Sequence, residues 1–262
     1  TRRRFPGGKR VPRDWVDAFS QAVSDLSPDA GLAAVAVSGN GPTLVGVPAN
    51  GGEGALLLWN DSVSADGARF SVSERSDADG AQMYAGERSD ADGAHPAAAR
   101  AEPSIFIPRI RAFRNIYPDE YRRARWLVSG PEYLILALTG EAVTILPDRR
   151  YEAAYWTGEA LAADGIDPGI LPPFVTTGEI VGRCVLDGLN GVPVIAGGPD
   201  FFAALVGTGA IEPGVACDRA GTSEGLNLCT AEPVVHPGIR TLPSLRAEYW
   251  NASCLLPDTG AR

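Results

Sequence analysis

The sequence predicts an α/β fold, with helices layered against buried strands. Three observations carry this. Four short apolar runs, at 32–38, 55–59, 192–196 and 215–220, each end in a polar loop, as strands buried on both faces do. Segments between and around them repeat apolar residues at helical spacing. The 262 residues are 45% hydrophobic and 21% charged, enough apolar material for a sizeable core and too much for a disordered chain.

Trp15, Phe19, Val23 and Leu26 recur at helical spacing behind Asp14, a plausible N-cap, and Pro28 stops this first helix. The run Leu32 to Val37 then opens into Ser38-Gly39-Asn40-Gly41-Pro42, and Ala55 to Trp59 ends in Asn60-Asp61. Residues 62–100 interrupt the pattern. Glu-Arg-Ser-Asp-Ala-Asp-Gly-Ala stands at 74–81 and again at 87–94 with few large apolar residues around it, and it reads as a mobile surface insertion. The glutamate that a calcium loop needs six residues after its glycine is missing from both copies. Pro118-Asp119-Glu120 predicts a helix through Trp126 and Leu127, and Pro131-Glu132 another through Leu138, stopped at Gly140. Thr157 caps a helix over Leu161. The run Val192 to Ala196 is terminated by Gly197-Gly198-Pro199-Asp200, and a helix follows from Phe201 to Val206. Val215 to Ala220 closes on Gly221-Thr222-Ser223-Glu224-Gly225.

Composition excludes several functions. The net charge is −9 although the first thirteen residues hold six cations and no acid, so the body is too acidic for a nucleic-acid binder. Lys9 is the only lysine, which leaves Schiff-base chemistry almost no candidate. Cys184, Cys217, Cys229 and Cys254 lack the close spacing of a zinc site, and with only His95 and His236 no metal-ligand set is expected. The cysteines read as reduced thiols of a cytoplasmic protein. No apolar run approaches the ~20 residues of a membrane span, and no apolar region follows the basic start as in a secretory signal.

In an open α/β sheet, ligands sit at the carboxyl ends of strands. Four polar clusters fall there: Asn40-Gly41, Trp59-Asn60-Asp61, Gly197 to Asp200, and Gly221 to Gly225. Two glycines before Asp200 allow close approach, and its carboxylate could accept a proton from a substrate hydroxyl; the same spacing suits an ordinary N-cap. Gly221, Thr222 and Ser223 could offer N–H groups and hydroxyls to a phosphate, or simply form a tight turn. Trp59 beside Asn60 and Asp61 suits a sugar, a flat apolar face with polar groups alongside, or else a core tryptophan before a turn.

The order of these clusters, with Tyr133-Leu134, Leu138-Thr139-Gly140-Glu141 and Pro172-Pro173-Phe174 between them, resembles the FGGY family of carbohydrate kinases. The likeness extends over nearly the whole chain except 62–100 and is most specific over 170–228. It implies an actin-like (ribonuclease-H-like) α/β domain of the sugar kinase/Hsp70/actin type with the start of a second domain. Residues 1–215 would form the sugar-binding domain, and 216–262 would begin an ATP-binding one. It further implies ATP and Mg2+, and a sugar or polyol substrate. Asp200 would be the general base. Asn40, Gly41, Trp59, Asn60, Asp61 and Phe201 would lie around the sugar, and Gly221, Thr222 and Ser223 would form a phosphate loop.

The chain departs from the family pattern at several points. No Asp-x-Gly-Thr strand precedes Trp15, and little follows Trp250-Asn251. Ser62 and Val63 stand where an arginine commonly follows Trp-Asn-Asp, and Phe201 stands where Gln or Asn usually follows the aspartate. The expectation is the sugar-binding half of a kinase, clipped at both ends; the alternative is a non-catalytic carbohydrate-binding remnant, or a half-kinase that needs a second ATP-binding chain. Such a chain would bind sugar weakly and ATP hardly at all, expose apolar surface near its C-terminal end, and self-associate as a homodimer.

Overall fold

The computed structural model of the protein describes residues 11–26, 31–39, 42–51, 54–59, 61, 104–220, 224–236 and 238–256. The 62–100 segment lies outside these residues, as do Asn40, Gly41, Asn60 and Gly221 to Ser223 of the expected site. The elements run α1 (Arg13–Leu26), β1 (Val35–Gly39), β2 (Leu44–Pro48) and β3 (Ala55–Leu57), then α2 (Ile107–Ile116), α3 (Pro118–Arg123), β4 (Ala124–Val128), α4 (Gly130–Thr139) and β5 (Thr144–Leu146). Next come the short α5 (Glu152–Tyr155) and α6 (Gly158–Ala163), β6 (Phe174–Thr176), β7 (Ile180–Arg183), β8 (Pro193–Pro199) and α7 (Asp200–Thr208). The chain then forms β9 (Ala216–Ala220), β10 (Glu224–Thr230), β11 (Arg240–Pro243) and β12 (Trp250–Leu256).

All four apolar runs are strands, with shifted ends. β8 sits between β1, its parallel partner, and β7, which is antiparallel. β2 lies between β3 and β4, β5 pairs in parallel with β6, and the last four strands form an antiparallel sheet in the order β11-β12-β10-β9. The expected end of the third run at Gly197 is corrected, because β8 continues to Pro199. A Cβ on Gly197 would meet the Val37 carbonyl oxygen at 2.4 Å, so this glycine lets β1 and β8 approach rather than breaking the strand.

Two further expectations are corrected. The helix from Pro118 stops at Arg123, and Arg125, Trp126 and Leu127 belong to β4. Residues 124–128 pair with β2, and Leu127 and Val128 are buried there. Such pairing outweighs the weak helix preference of the arginine-rich segment. Asp14 is the second residue of α1 rather than its cap, and its carboxylate accepts the Val11 N–H at 3.0 Å. Other boundaries follow the sequence signals. Thr157 Oγ1 accepts the Ala160 N–H at 3.2 Å, and Gly140, with φ of +81°, ends α4 in the left-handed region that glycine adopts at least cost.

Two apolar clusters fill the layers. One joins Leu57, Ile107, Ile110 and Phe113 to Phe202 and Leu205 of α7, and it takes in Cys217 and Leu242 of the last sheet. The other sets Val37, Val194 and Ala196 of the central strands against Ile135 and Leu138 of α4 and Phe19 and Val23 of α1. All four cysteines are free thiols. Leu226 and Leu228 are exposed on the outer side of β10, apolar surface of the kind expected near the C-terminal end.

Candidate active site at the carboxyl ends of the central strands

β1 and β8 run parallel, so their carboxyl ends lie side by side, with Gly39 opposite Pro199. Ser38 Oγ donates to the Gly198 carbonyl at 3.0 Å and ties the two ends. Gly198 has φ of +73°, and a Cβ there would meet Thr177 Oγ1 at 2.5 Å, so the second glycine is needed for both backbone and space. The chain then turns directly into α7. Pro199 holds the N-cap position with no side-chain cap, and Asp200 is the first helical residue. Asp200 is exposed. The ordinary N-cap arrangement is therefore not the one adopted.

Phe201 is half-buried against Phe202, with ring centroids 4.0 Å apart. The Arg219 guanidinium lies 5.1 Å from its ring centroid. The start of α7 is thus fixed beside the end of β9, the strand that leads to Gly221.

The second half of the site hangs on Thr43. Asn40 to Thr43 link the end of β1 to the start of β2, a span of at most about 15 Å between the Gly39 and Thr43 Cα atoms. Thr43 is buried, and its Oγ1 accepts the Trp59 N–H at 3.0 Å. Trp59 is 40% exposed, so it is not a core tryptophan. Asp61 closes a turn behind it: its Oδ2 accepts the Leu58 N–H at 2.9 Å, and its own N–H donates to the Leu58 carbonyl at 3.0 Å. Asp61 thus shapes the turn that presents Trp59, a role the sequence reading left open.

Two buried ionisable residues were not singled out from sequence. Arg109 of α2 is buried, and its guanidinium donates to the backbone carbonyls of Leu58 and Asp61, the latter at 3.0 Å. Burial lowers its pKa to about 10, with the Asp61 charge opposing the shift. Glu132 of α4 is buried too. Its Oε2 accepts the Ser129 N–H at 2.6 Å and its Oε1 the Ile145 N–H at 2.7 Å. Burial pushes its carboxyl up to about 7, against the pull of those N–H groups. With Ser129 at the N-cap it forms a capping box, and both line a small pocket that also touches Gly198 and Pro199. The Ser-x-x-Glu pattern was the available signal for Glu132; nothing local marks Arg109.

The chain is 35% identical over 238 residues to the xylulose kinase of Streptomyces coelicolor, an alignment that covers 83% of this chain and 45% of that protein. It is 26% identical over 148 residues to the autoinducer-2 kinase of Yersinia enterocolitica, covering 52% of this chain and 28% of that one. Among solved structures, the ligand-bound xylulose kinase of Lactobacillus acidophilus superposes with a TM-score of 0.66 at 17% identity, over 93% of this chain and 50% of that one. No family model matches the chain. The chain is similar to carbohydrate kinases of the FGGY family. It spans less than half the length of the curated relatives named above. The likeness in structure agrees with the mixed α/β sheets and the actin-like fold class expected from the sequence.

Proposed function

We propose that this chain is the carbohydrate-binding part of a kinase that transfers the γ-phosphate of ATP to a hydroxyl of a sugar or polyol, with Asp200 as general base. The observation that carries this is the placement of Asp200, exposed and free of a capping role where β8 ends beside β1. A carboxylate so placed is open to a bound hydroxyl and can take its proton as the oxygen attacks phosphorus. Trp59 would offer a flat apolar face to a sugar ring, with Asp61 in the turn behind it and Phe201 next to the base; Asn40, Gly41 and Asn60 are proposed as further sugar contacts and lie outside the described residues.

Gly221, Thr222 and Ser223 would hold phosphate oxygens with N–H and hydroxyl groups. ATP with Mg2+ would supply the phosphoryl group and neutralise its charge. Among the described residues no group of three or more His, Cys, Asp or Glu converges as a metal cage. Mg2+ in phosphoryl transfer is usually held by one or two carboxylates with substrate phosphates, so the nucleotide itself would supply part of its ligands. In this reading residues 1–215 form the sugar-binding domain and 216–262 begin the nucleotide-binding one, although Cys217 and Leu242 share the first domain's core.

The test is Asp200→Asn in the complete enzyme, in a coupled assay across pentuloses, hexuloses, gluconate and glycerol. Turnover should fall by about 10²–10⁴ while sugar affinity changes only a few-fold. Equal loss of both, or no loss, refutes the role of Asp200.

A further inference from the structure

Arg109 occupies a place that surface charges do not. It is 3% exposed, and its Nε is buried without a hydrogen-bond partner among the described residues. Its two other guanidinium nitrogens reach the carbonyls of Leu58 and Asp61, the two ends of the turn that carries Trp59. These contacts span 51 and 48 residues of sequence. The turn and α2 are therefore the two ends of one long excursion of the chain, and chain connectivity alone fixes neither against the other.

A second tie lies nearby, where the Tyr117 hydroxyl donates to the Leu56 carbonyl at 3.2 Å. Arg109 grips both ends of the turn. A planar guanidinium can serve two carbonyls at once in fixed directions, which an ammonium cannot. Burying a cation is costly, and here two backbone oxygens and the nearby Asp61 charge offset part of that cost.

We propose that Arg109 is a positioning residue for the sugar subsite, holding the Leu58–Asp61 turn so that Trp59 faces the substrate. This rests on the kinase reading above and adds to it the device that holds one wall of the pocket. Arg109 touches the turn's backbone and acts through Trp59.

The test compares wild type, Arg109→Lys, Trp59→Leu and the double variant, each as the intact protein. Arg109→Lys keeps the charge and the fold while giving up the two-carbonyl grip; its thermal melt serves as the check on folding. Amide exchange over residues 54–61 should speed up in this variant while 193–199 stays protected. The Kd for D-xylulose, read by titration calorimetry, should rise about 10- to 100-fold, as expected for a misplaced binding group. In the Trp59→Leu background the same change should add little. Unchanged exchange over 54–61, an unchanged sugar Kd, or an equal effect with and without Trp59 overturns the role of Arg109. A wild type that binds none of the pentuloses, hexuloses, gluconate or glycerol overturns the sugar-binding reading itself and the inference with it.

Discussion

Replacing Glu132 by Gln should change how stability depends on pH. The carboxyl is buried, and both oxygens accept backbone N–H groups, from Ser129 and from Ile145. Burial raises its pKa from 4.5 to about 7. In the unfolded chain this group loses its proton near 4.5, whereas the folded protein keeps it until about 7. Between these values the folded state binds more protons, so stability falls as pH rises. The contribution is fully present below about pH 4.5 and gone above about 7. At ~1.4 kcal/mol per unit, the difference amounts to on the order of 3 kcal/mol.

Glutamine does not titrate. Its amide oxygen can serve one of the two N–H groups but its nitrogen cannot serve the other, a loss of roughly 1–3 kcal/mol. Glu132→Gln should therefore be less stable than wild type at pH 5, and should equal or overtake it by pH 8. Urea unfolding of both proteins at half-unit steps from pH 5 to 8 measures the gap, and other acids common to both cancel from the difference. A constant gap across that range refutes the reasoning.

Other outcomes follow from single contacts. Gly197→Ala places a methyl 2.4 Å from the Val37 carbonyl oxygen and should cost about 1–3 kcal/mol, read as a lower thermal midpoint. Gly140→Ala meets no atom within 4 Å, so only its φ of +81° should penalise it, by about 1–2 kcal/mol. Ser104→Ala should lower stability by roughly 1–3 kcal/mol, because the buried hydroxyl accepts the Ile107 and Phe106 N–H groups at 3.0 and 3.2 Å and donates to the Tyr155 carbonyl. A thermal melt unchanged from wild type would show that water replaces those bonds.

The sequence by itself determined the parts whose physics is local. A short apolar run that ends in a polar loop marks a strand from neighbouring residues alone, and the four such runs overlap β1, β3, β8 and β9. Thr157 and Gly140 mark helix ends because capping needs only neighbouring residues. The placement of Asp200 at the start of a helix after a strand was also legible, although of the two glycines before it only Gly198 has the positive φ, and Gly197 serves the approach of β1.

Tertiary structure alone decided the rest. Residues 124–128 form a strand because β2 offers them an edge. β10 reverses the usual pattern, with Leu226 and Leu228 outward and Asn227 and Cys229 inward. Asn227 is tolerated there because its amide donates to the Gly225 carbonyl at 3.0 Å and its oxygen accepts from Asn251 at 3.3 Å. Arg109 reads as one more helix charge until Leu58 and Asp61, some fifty residues earlier, are brought against it. Which face of a strand is covered, and which carbonyl lacks a donor, depends on segments remote in sequence, and no local spacing encodes them.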